Sequence, residues 1–211
     1  MINQKKLQQA HDDLLKLGEL TVRFANVHRG TLYPNGHYEN DAEHSFHLAI
    51  SATEIAASYH PELDTGLVSQ FSIIHDLAEV YAGDVPSYRL SDHELAKKEK
   101  AEKVALEKLF DELPPHTAKL LSRYEAQKEP EARFVRLIDK LLPPVIHAVA
   151  TEANKEDFFS RFNIVTVEDI DKGNELFLTR LQNMFPEFDS LLILRELMTQ
   201  TSRDRFFPPA N

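Results

Sequence analysis

The sequence predicts an all-α fold, a single-domain helical bundle of about seven or eight helices. Three observations carry that prediction. Apolar residues recur at helical spacing along nearly the whole chain; the interruptions fall at glycine and proline; and only IVTV at 164–167 reads as a strand, too short to imply a sheet. The chain has 211 residues, 42% hydrophobic and 27% charged, which is enough apolar material for one core at the upper end of single-domain size. No internal repeat, low-complexity tract or linker-like stretch divides it.

Taken in order, Leu7, Leu14, Leu17 and Leu20, continuing to Phe24 and Val27, make residues 5–27 one amphipathic helix. HRGTLYPNGHYEN breaks the period with Gly30, Pro34 and Gly36 and reads as a loop. Asp41 is placed to cap a second helix that runs to residue 59, before Pro61. A third helix starts near Asp64 and runs to about Tyr81, where the loop AGDVPSYR follows with Gly83 and Pro86 as breakers. Ser91 with Glu94 forms a capping-box pattern at the head of a long charged helix to about Glu112. Pro114 and Pro115 separate it from a short helix over 116–127. Pro130 suits the first turn of the next helix, which Pro143 and Pro144 should kink or split. Two more helices are expected over 168–201, broken near Pro186, and FPPAN at the end reads as a loose tail.

Composition narrows the function classes. With no cysteine, the chain has no disulfides, thiolate zinc sites or cysteine nucleophiles, so any metal must sit on His, Asp and Glu. That is compatible with a cytoplasmic location. The formal charge of −10 argues against a nucleic-acid polymer as partner, because nonspecific binding relies on Lys and Arg neutralising phosphates. A small phosphorylated substrate needs only one divalent cation and a few well-placed basic groups. No stretch approaches the roughly 18 apolar residues of a membrane span. The polar start MINQKKLQQAHDDLL lacks the apolar stretch of a secretory signal peptide and is expected to begin the mature fold.

The chain has ten histidines, most of them expected to be solvated or to donate one hydrogen bond. His11-Asp12 lies in the polar run QQAHDDLL and reads as a solvent-facing pair. His75-Asp76 differs: Phe71, Ile73 and Ile74 precede it and Leu77, Ala78 and Val80 follow, so an imidazole and a carboxylate are buried side by side. That is costly unless compensated, either by a satisfied His–Asp hydrogen bond or by a divalent cation. Upstream, His44 sits in the first turn of a helix among Phe46, Leu48, Ala49 and Ile50. Downstream, Asp139 interrupts the apolar stripe of Phe134, Val135, Leu137, Ile138, Leu141 and Leu142; it calls for a cation or for an ion pair with Arg136 or Lys140.

The order His … His-Asp … Asp on successive helices resembles the HD-domain phosphohydrolases. The contexts match as well: E-x-x-A-E-H-S at Glu39 to Ser45, and H-D-x-x-E-x-x-x-G-D-x-P from His75 to Pro86. These are similar to the bacterial 5′-deoxynucleotidases, over roughly residues 10–150. The resemblance implies a bundle of the HD-domain type with one divalent ion on His44, His75, Asp76 and Asp139. Two imidazoles and two carboxylates suit Mn, Co, Zn, Ni, Fe or Mg.

Glu79 lies one turn beyond Asp76 on the same face, placed to hold or deprotonate the attacking water. Asp84, in the following loop, is placed to protonate the leaving alkoxide. Both positions match the acidic pair that works beside the metal in the resembling enzymes. Arg29 falls where the family's phosphate-contacting arginine does, and a guanidinium fork suits a terminal phosphate. Lys140 is a second candidate, with Arg23 and Arg89 behind it. One departure stands out: the large aromatic that follows this arginine in the deoxynucleotidases is Gly30 here, which loosens selection against a ribose 2′-hydroxyl. Leu32, Tyr33, Pro34, His37 and Tyr38 are the expected lid or base-stacking element.

The expected activity is hydrolysis of nucleoside 5′-monophosphates, deoxynucleotides above all. A nucleoside triphosphate or pyrophosphate hydrolase with the same metal centre, or a metal-binding regulatory module without turnover, are the alternatives. The resemblance also implies a homodimer.

Overall fold

The computed structural model describes residues 3–85, 90–162, 164 and 166–208. Eleven α-helices and one two-stranded sheet are found among them: α1 Gln4–Phe24, β1 His28–Leu32, β2 Tyr38–Asn40, α2 Asp41–Tyr59, α3 Thr65–Ile74, α4 Glu79–Ala82, α5 Asp92–Phe110, α6 Pro115–Ala126, α7 Pro130–Leu141, α8 Pro143–Val149, α9 Thr151–Phe162, α10 Val167–Met184 and α11 Leu192–Phe206, with a 3₁₀ turn at Pro186–Leu191 before the last. The fold is helical, as its periodicity predicts. The helix count exceeds seven or eight because expected helices are subdivided and α9, over a segment where no helix is expected, adds one more. A turn at 75–78 separates α3 from the single-turn α4, and Pro143 opens α8 at its first position, where a missing N–H is tolerated.

Helix ends follow local chemistry. The α5 capping box is formed by Ser91 and Glu94, and Pro130 stands in the first turn of α7. At α2 the cap is Asn40, whose side chain accepts from Glu43 N–H while Glu43 answers at the Asn40 N–H. Asp41 is therefore not the cap but the first helical residue, and it is fully buried. The expected loop at 28–40 is an antiparallel hairpin, with His28 opposite Asn40 and Leu32 opposite Tyr38 and an irregular register between. Gly30 falls inside β1, whereas Pro34 and Gly36 lie in the turn: Gly36 has φ of 84°, and its N–H donates to the Tyr33 carbonyl at 2.9 Å. Of the IVTV segment, Val165 and the flanking Asn163 lie outside the described residues, Ile164 and Thr166 are non-helical, and Val167 opens α10; no strand forms among the described residues there.

The main core runs from Leu20 and Phe24 of α1 through α2, α3, α5, α6 and α7 to Leu192. Helix α2 packs along α3, and α3 packs on α6 and α7, which brings the ends that carry His44 and His75 beside Asp139 in the last turn of α7. Helix α7 is buried along Ala132, Phe134, Val135, Leu137, Ile138 and Leu141, the stripe that holds Asp139. Not every apolar residue flanking the motifs is buried, however. Phe46, Ile50 and Ile73 are 68%, 55% and 54% exposed, because they fall on the outward faces of α2 and α3 while Leu48, Phe71 and Ile74 face inward.

Phe134 has no exposed surface and meets Phe188 edge-on at 5.6 Å. Phe134→Ala is expected to lower unfolding free energy by about 3–5 kcal/mol. Denaturant titration measures it, and a loss below about 1 kcal/mol would remove this ring from the core.

Candidate metal centre

His44 is held in the first turn of α2 by the Asn40–Glu43 capping box, and His75 immediately follows α3. The His75 Nδ1 lies 2.9 Å from the Ser72 carbonyl, which can only accept, so Nδ1 carries a hydrogen and donates it. That orientation turns Nε2 inward. There Nε2 is buried and lacks a hydrogen-bond partner, although Asp76 Oδ2 lies 2.8 Å away outside hydrogen-bonding geometry. Across from it, Asp139 Oδ1 is 2.9 Å from His44 Nε2 and 3.8 Å from His75 Nε2. One donor atom each from His44, His75, Asp76 and Asp139 lies within 4.8 Å of the others. A buried imidazole nitrogen turned inward without a hydrogen bond, between two carboxylates, is the chemistry of a site for positive charge, and these four groups fit a divalent cation.

Electrostatics describe the same need for positive charge. Burial opposes a charge on His75, yet Asp76 and Asp139 outweigh it and raise its pKa to about 10. His44 is likewise raised: burial and Arg29 oppose its charge, while Asp139 and Glu39 favour it. Burial alone would raise Asp76, but His75 and Arg29 hold it well below the usual carboxylate range. Asp139 is also low, with Lys140 and the two histidines overcoming burial; Lys140 Nζ stands 3.4 Å from Asp139 Oδ2. Protons on the imidazoles do the work that a cation does when bound.

Beside the cluster lies Arg29, on β1. Its Nη1 is 2.9 Å from Asp76 Oδ2, 3.3 Å from Asp41 Oδ1, 3.8 Å from Glu79 Oε2 and 4.0 Å from Asp84 Oδ1, and its Nε is 3.7 Å from Glu39 Oε2. Glu79 opens α4, and its N–H donates to the Asp76 carbonyl at 2.8 Å, which ties the acid to the His-Asp turn. Burial first, then Asp76, Asp84 and Asp41, raise Glu79 to about 11. Asp84 is raised by burial, with Arg29 opposing and Asp76 reinforcing.

A cavity of about 380 Å³ opens over these groups, with Arg29, Asp76, Glu79, Asp84, Asp139 and Lys140 on its wall. It is large enough for a small phosphorylated molecule. Other expected contributors lie elsewhere. Arg23 donates to Tyr81 and pairs with Glu112, because α1 lies along α4 on the far side of that segment. Arg89 is outside the described residues. The hairpin contributes Gly30 and Thr31 to the cavity wall rather than Tyr33, whose hydroxyl donates to Glu39, or Tyr38, whose hydroxyl donates to Asp157.

Sequence reasoning missed Asp41, Lys98, Arg136 and Asn154. Lys98 and Arg136 line the cavity from α5 and α7. Asn154 is buried and its amide accepts from the Leu32 N–H at 2.8 Å and donates to the Leu32 carbonyl at 2.5 Å, fastening the Arg29 strand to α9. A usable signal existed only for Asp41, which precedes His44 by three residues and so shares its helix face.

A family model described as HD domain matches residues 23–176. A 5′-deoxynucleotidase of Enterobacter sp. (strain 638) is 29% identical over 129 residues, covering 56% of this chain and 64% of that protein. A 5′-deoxynucleotidase of Danio rerio is 28% identical over 134 residues, 62% of this chain and 66% of that one. The match thus spans just under two thirds of these relatives' lengths. A solved structure from Magnetospirillum magnetotacticum MS-1, described as a predicted metal-dependent phosphohydrolase, is similar over 99% of this chain and 100% of its own, with 27% identity and a TM-score of 0.65.

Proposed function

The chain belongs to the HD domain family, and on that premise we propose that it is a metal-dependent phosphomonoesterase that hydrolyses nucleoside 5′-monophosphates to nucleoside and phosphate. The observation that carries the reading is the buried His75 Nε2, left without a partner between Asp76 and Asp139 at the wall of the cavity. His44, His75, Asp76 and Asp139 hold one divalent ion, of the set Mn, Co, Zn, Ni, Fe and Mg. When bound there, the ion supplies Lewis-acid polarisation of a phosphoryl oxygen and acidifies a neighbouring water.

The rest of the work falls to side chains. Arg29 swings its guanidinium fork from the carboxylates to the phosphate, where a charge-assisted pair is strongest, and Lys140 adds a second positive charge. Glu79 loses its proton once positive charge enters the cluster, because the carboxylates that raise it are then neutralised. It then accepts the proton of the attacking water. Asp84, buried beside Arg29 and Asp76, is placed to pass a proton to the leaving alkoxide. Gly30 leaves room at the sugar, so both deoxyribose and ribose substrates enter. We read the chain as one such domain throughout, acting as a cytoplasmic enzyme on small nucleotides. A homodimer is supported by exposed apolar residues of α1 that fall in two pairs seven residues apart, Leu7 with Leu14 and Leu15 with Val22. Among the described residues no helix is long and apolar enough to cross a membrane.

The test is phosphate release from mono-, di- and triphosphates of nucleosides with added Mn or Co. Monophosphates of both sugars are expected to turn over, within about tenfold of each other. Release of pyrophosphate or triphosphate instead would give the site to polyphosphate hydrolysis, and tight metal binding without any turnover would make it a binding module.

Arg29 can be tested by itself. Arg29→Lys keeps the charge but loses the fork, and KM is expected to rise by about ten- to a hundredfold with metal content intact. An unchanged KM would take Arg29 out of phosphate binding.

A further inference from the structure

The cavity over the metal centre has a second wall, built by α10 and α11. Asn174 of α10 and Thr199 of α11 stand on it, and Pro143, Leu181 and Met184 add apolar surface. Arg195, 6% exposed, ties this wall to the centre. Its Nη1 donates to the carbonyl of Lys140, the neighbour of Asp139, at 2.8 Å, and its Nε donates to Asn174 Oδ1 at 3.3 Å. The Thr199 hydroxyl donates to the same oxygen at 3.0 Å. An arginine nitrogen only donates, so the Asn174 amide has one possible orientation. Its oxygen faces Arg195 and Thr199, and its Nδ2 carries two hydrogens on the other side. Among the described residues Nδ2 makes no hydrogen bond. Two donors locked in one direction at the wall of a partly apolar cavity are a fixed element of recognition.

We propose that this wall reads the nucleobase of the substrate, with Asn174 Nδ2 donating to a carbonyl oxygen of the base. The inference rests on the nucleoside monophosphate reading above and gives it a base preference. Arg29 and the metal centre take the phosphate, and the Arg195 guanidinium spans the distance from Lys140 to Asn174, so the amide lies further along the same cavity. A base is apolar on its faces and polar at its edge, which suits apolar side chains with one oriented amide among them. The Asn174 oxygen already accepts twice, so Asn174 offers this ligand donors alone. A keto base, such as hypoxanthine, guanine, uracil or thymine, answers with an acceptor. Adenine and cytosine present an amine there instead, which leaves the Nδ2 hydrogen unpaired. Arg195 and Thr199 lie beyond residues 23–176, the stretch that the HD domain model matches, so what orients the amide comes from outside that stretch.

The test is kcat/KM of the full chain with Mn on two pairs of substrates that differ at this edge. One pair is inosine and adenosine 5′-monophosphate, the other deoxyuridine and deoxycytidine 5′-monophosphate. The keto member of each pair is expected to be favoured about ten- to a hundredfold, chiefly through KM. Asn174→Ala should remove that preference. Asn174→Asp, similar in shape, replaces the two hydrogens by an acceptor and should favour the amino member. Circular dichroism checks folding, and if Asn174→Ala does not fold, Asn174→Asp carries the test. A parent that turns over both members equally, or favours the amino member, overturns the base-reading wall and leaves the phosphomonoesterase standing. So does a folded variant that keeps the parent's ratio, since an asparagine with a purely structural role lowers both rates together. A parent that hydrolyses none of the four overturns the nucleoside monophosphate reading and this inference with it.

Discussion

Asp76→Ala is expected to abolish tight metal binding and to lower kcat/KM by about a thousandfold or more, since it removes a ligand whose cation supplies several kcal/mol of transition-state stabilisation. The size follows from geometry. Asp76 Oδ2 is in contact with both His75 Nε2 and Arg29 Nη1, so one truncation removes the charge that two separate cationic functions share. His75 then keeps only Asp139, 3.8 Å away, and the centre falls from four ligands to three. Metal content by elemental analysis and phosphate release by colorimetry check it. A variant that retains both would show that the cluster is an ordinary buried ion-pair network.

Glu79→Gln should behave differently. The substitution keeps the volume of a side chain that is 7% exposed and leaves His44, His75, Asp76 and Asp139 intact, so metal at that centre persists. Proton acceptance is lost, and kcat is expected to fall by about 10²- to 10⁴-fold with little change in KM. The acidic limb of the kcat profile should vanish with it, because a glutamine does not titrate. A variant as fast as the parent would remove Glu79 from proton transfer, and a large rise in KM would make it a substrate-binding group instead.

How much of this was legible in the residues depends on the length scale of each feature. Helices α1, α2, α5 and α10 announced themselves through periodicity and caps, which act within four residues. The hairpin did not, because His28–Leu32 has one buried residue and owes its order to partners far along the chain: Asn154 on one edge and Asn40 on the other. Its Gly30, Pro34 and Gly36 spoke only of the turn.

The four clustered groups were visible because each lies in a local context that is hard to explain otherwise, an acid or imidazole amid apolar neighbours. Phe46, Ile50 and Ile73 are nonetheless exposed, since sequence shows that an apolar residue is near and not which face it takes. Asp41 was misread for the reverse reason. At a helix start, Asp is so ordinary a cap that its place three residues before His44 is a weak signal, and packing against Arg29, Asp76 and Glu79 reveals its burial.

Anomalous scattering from crystals grown with Mn or Co tests the central claim most directly. The account predicts a peak bonded to imidazole nitrogens of His44 and His75 and to carboxylate oxygens of Asp76 and Asp139. A strong peak elsewhere on the chain, with His75 Nε2 still unligated, would contradict it.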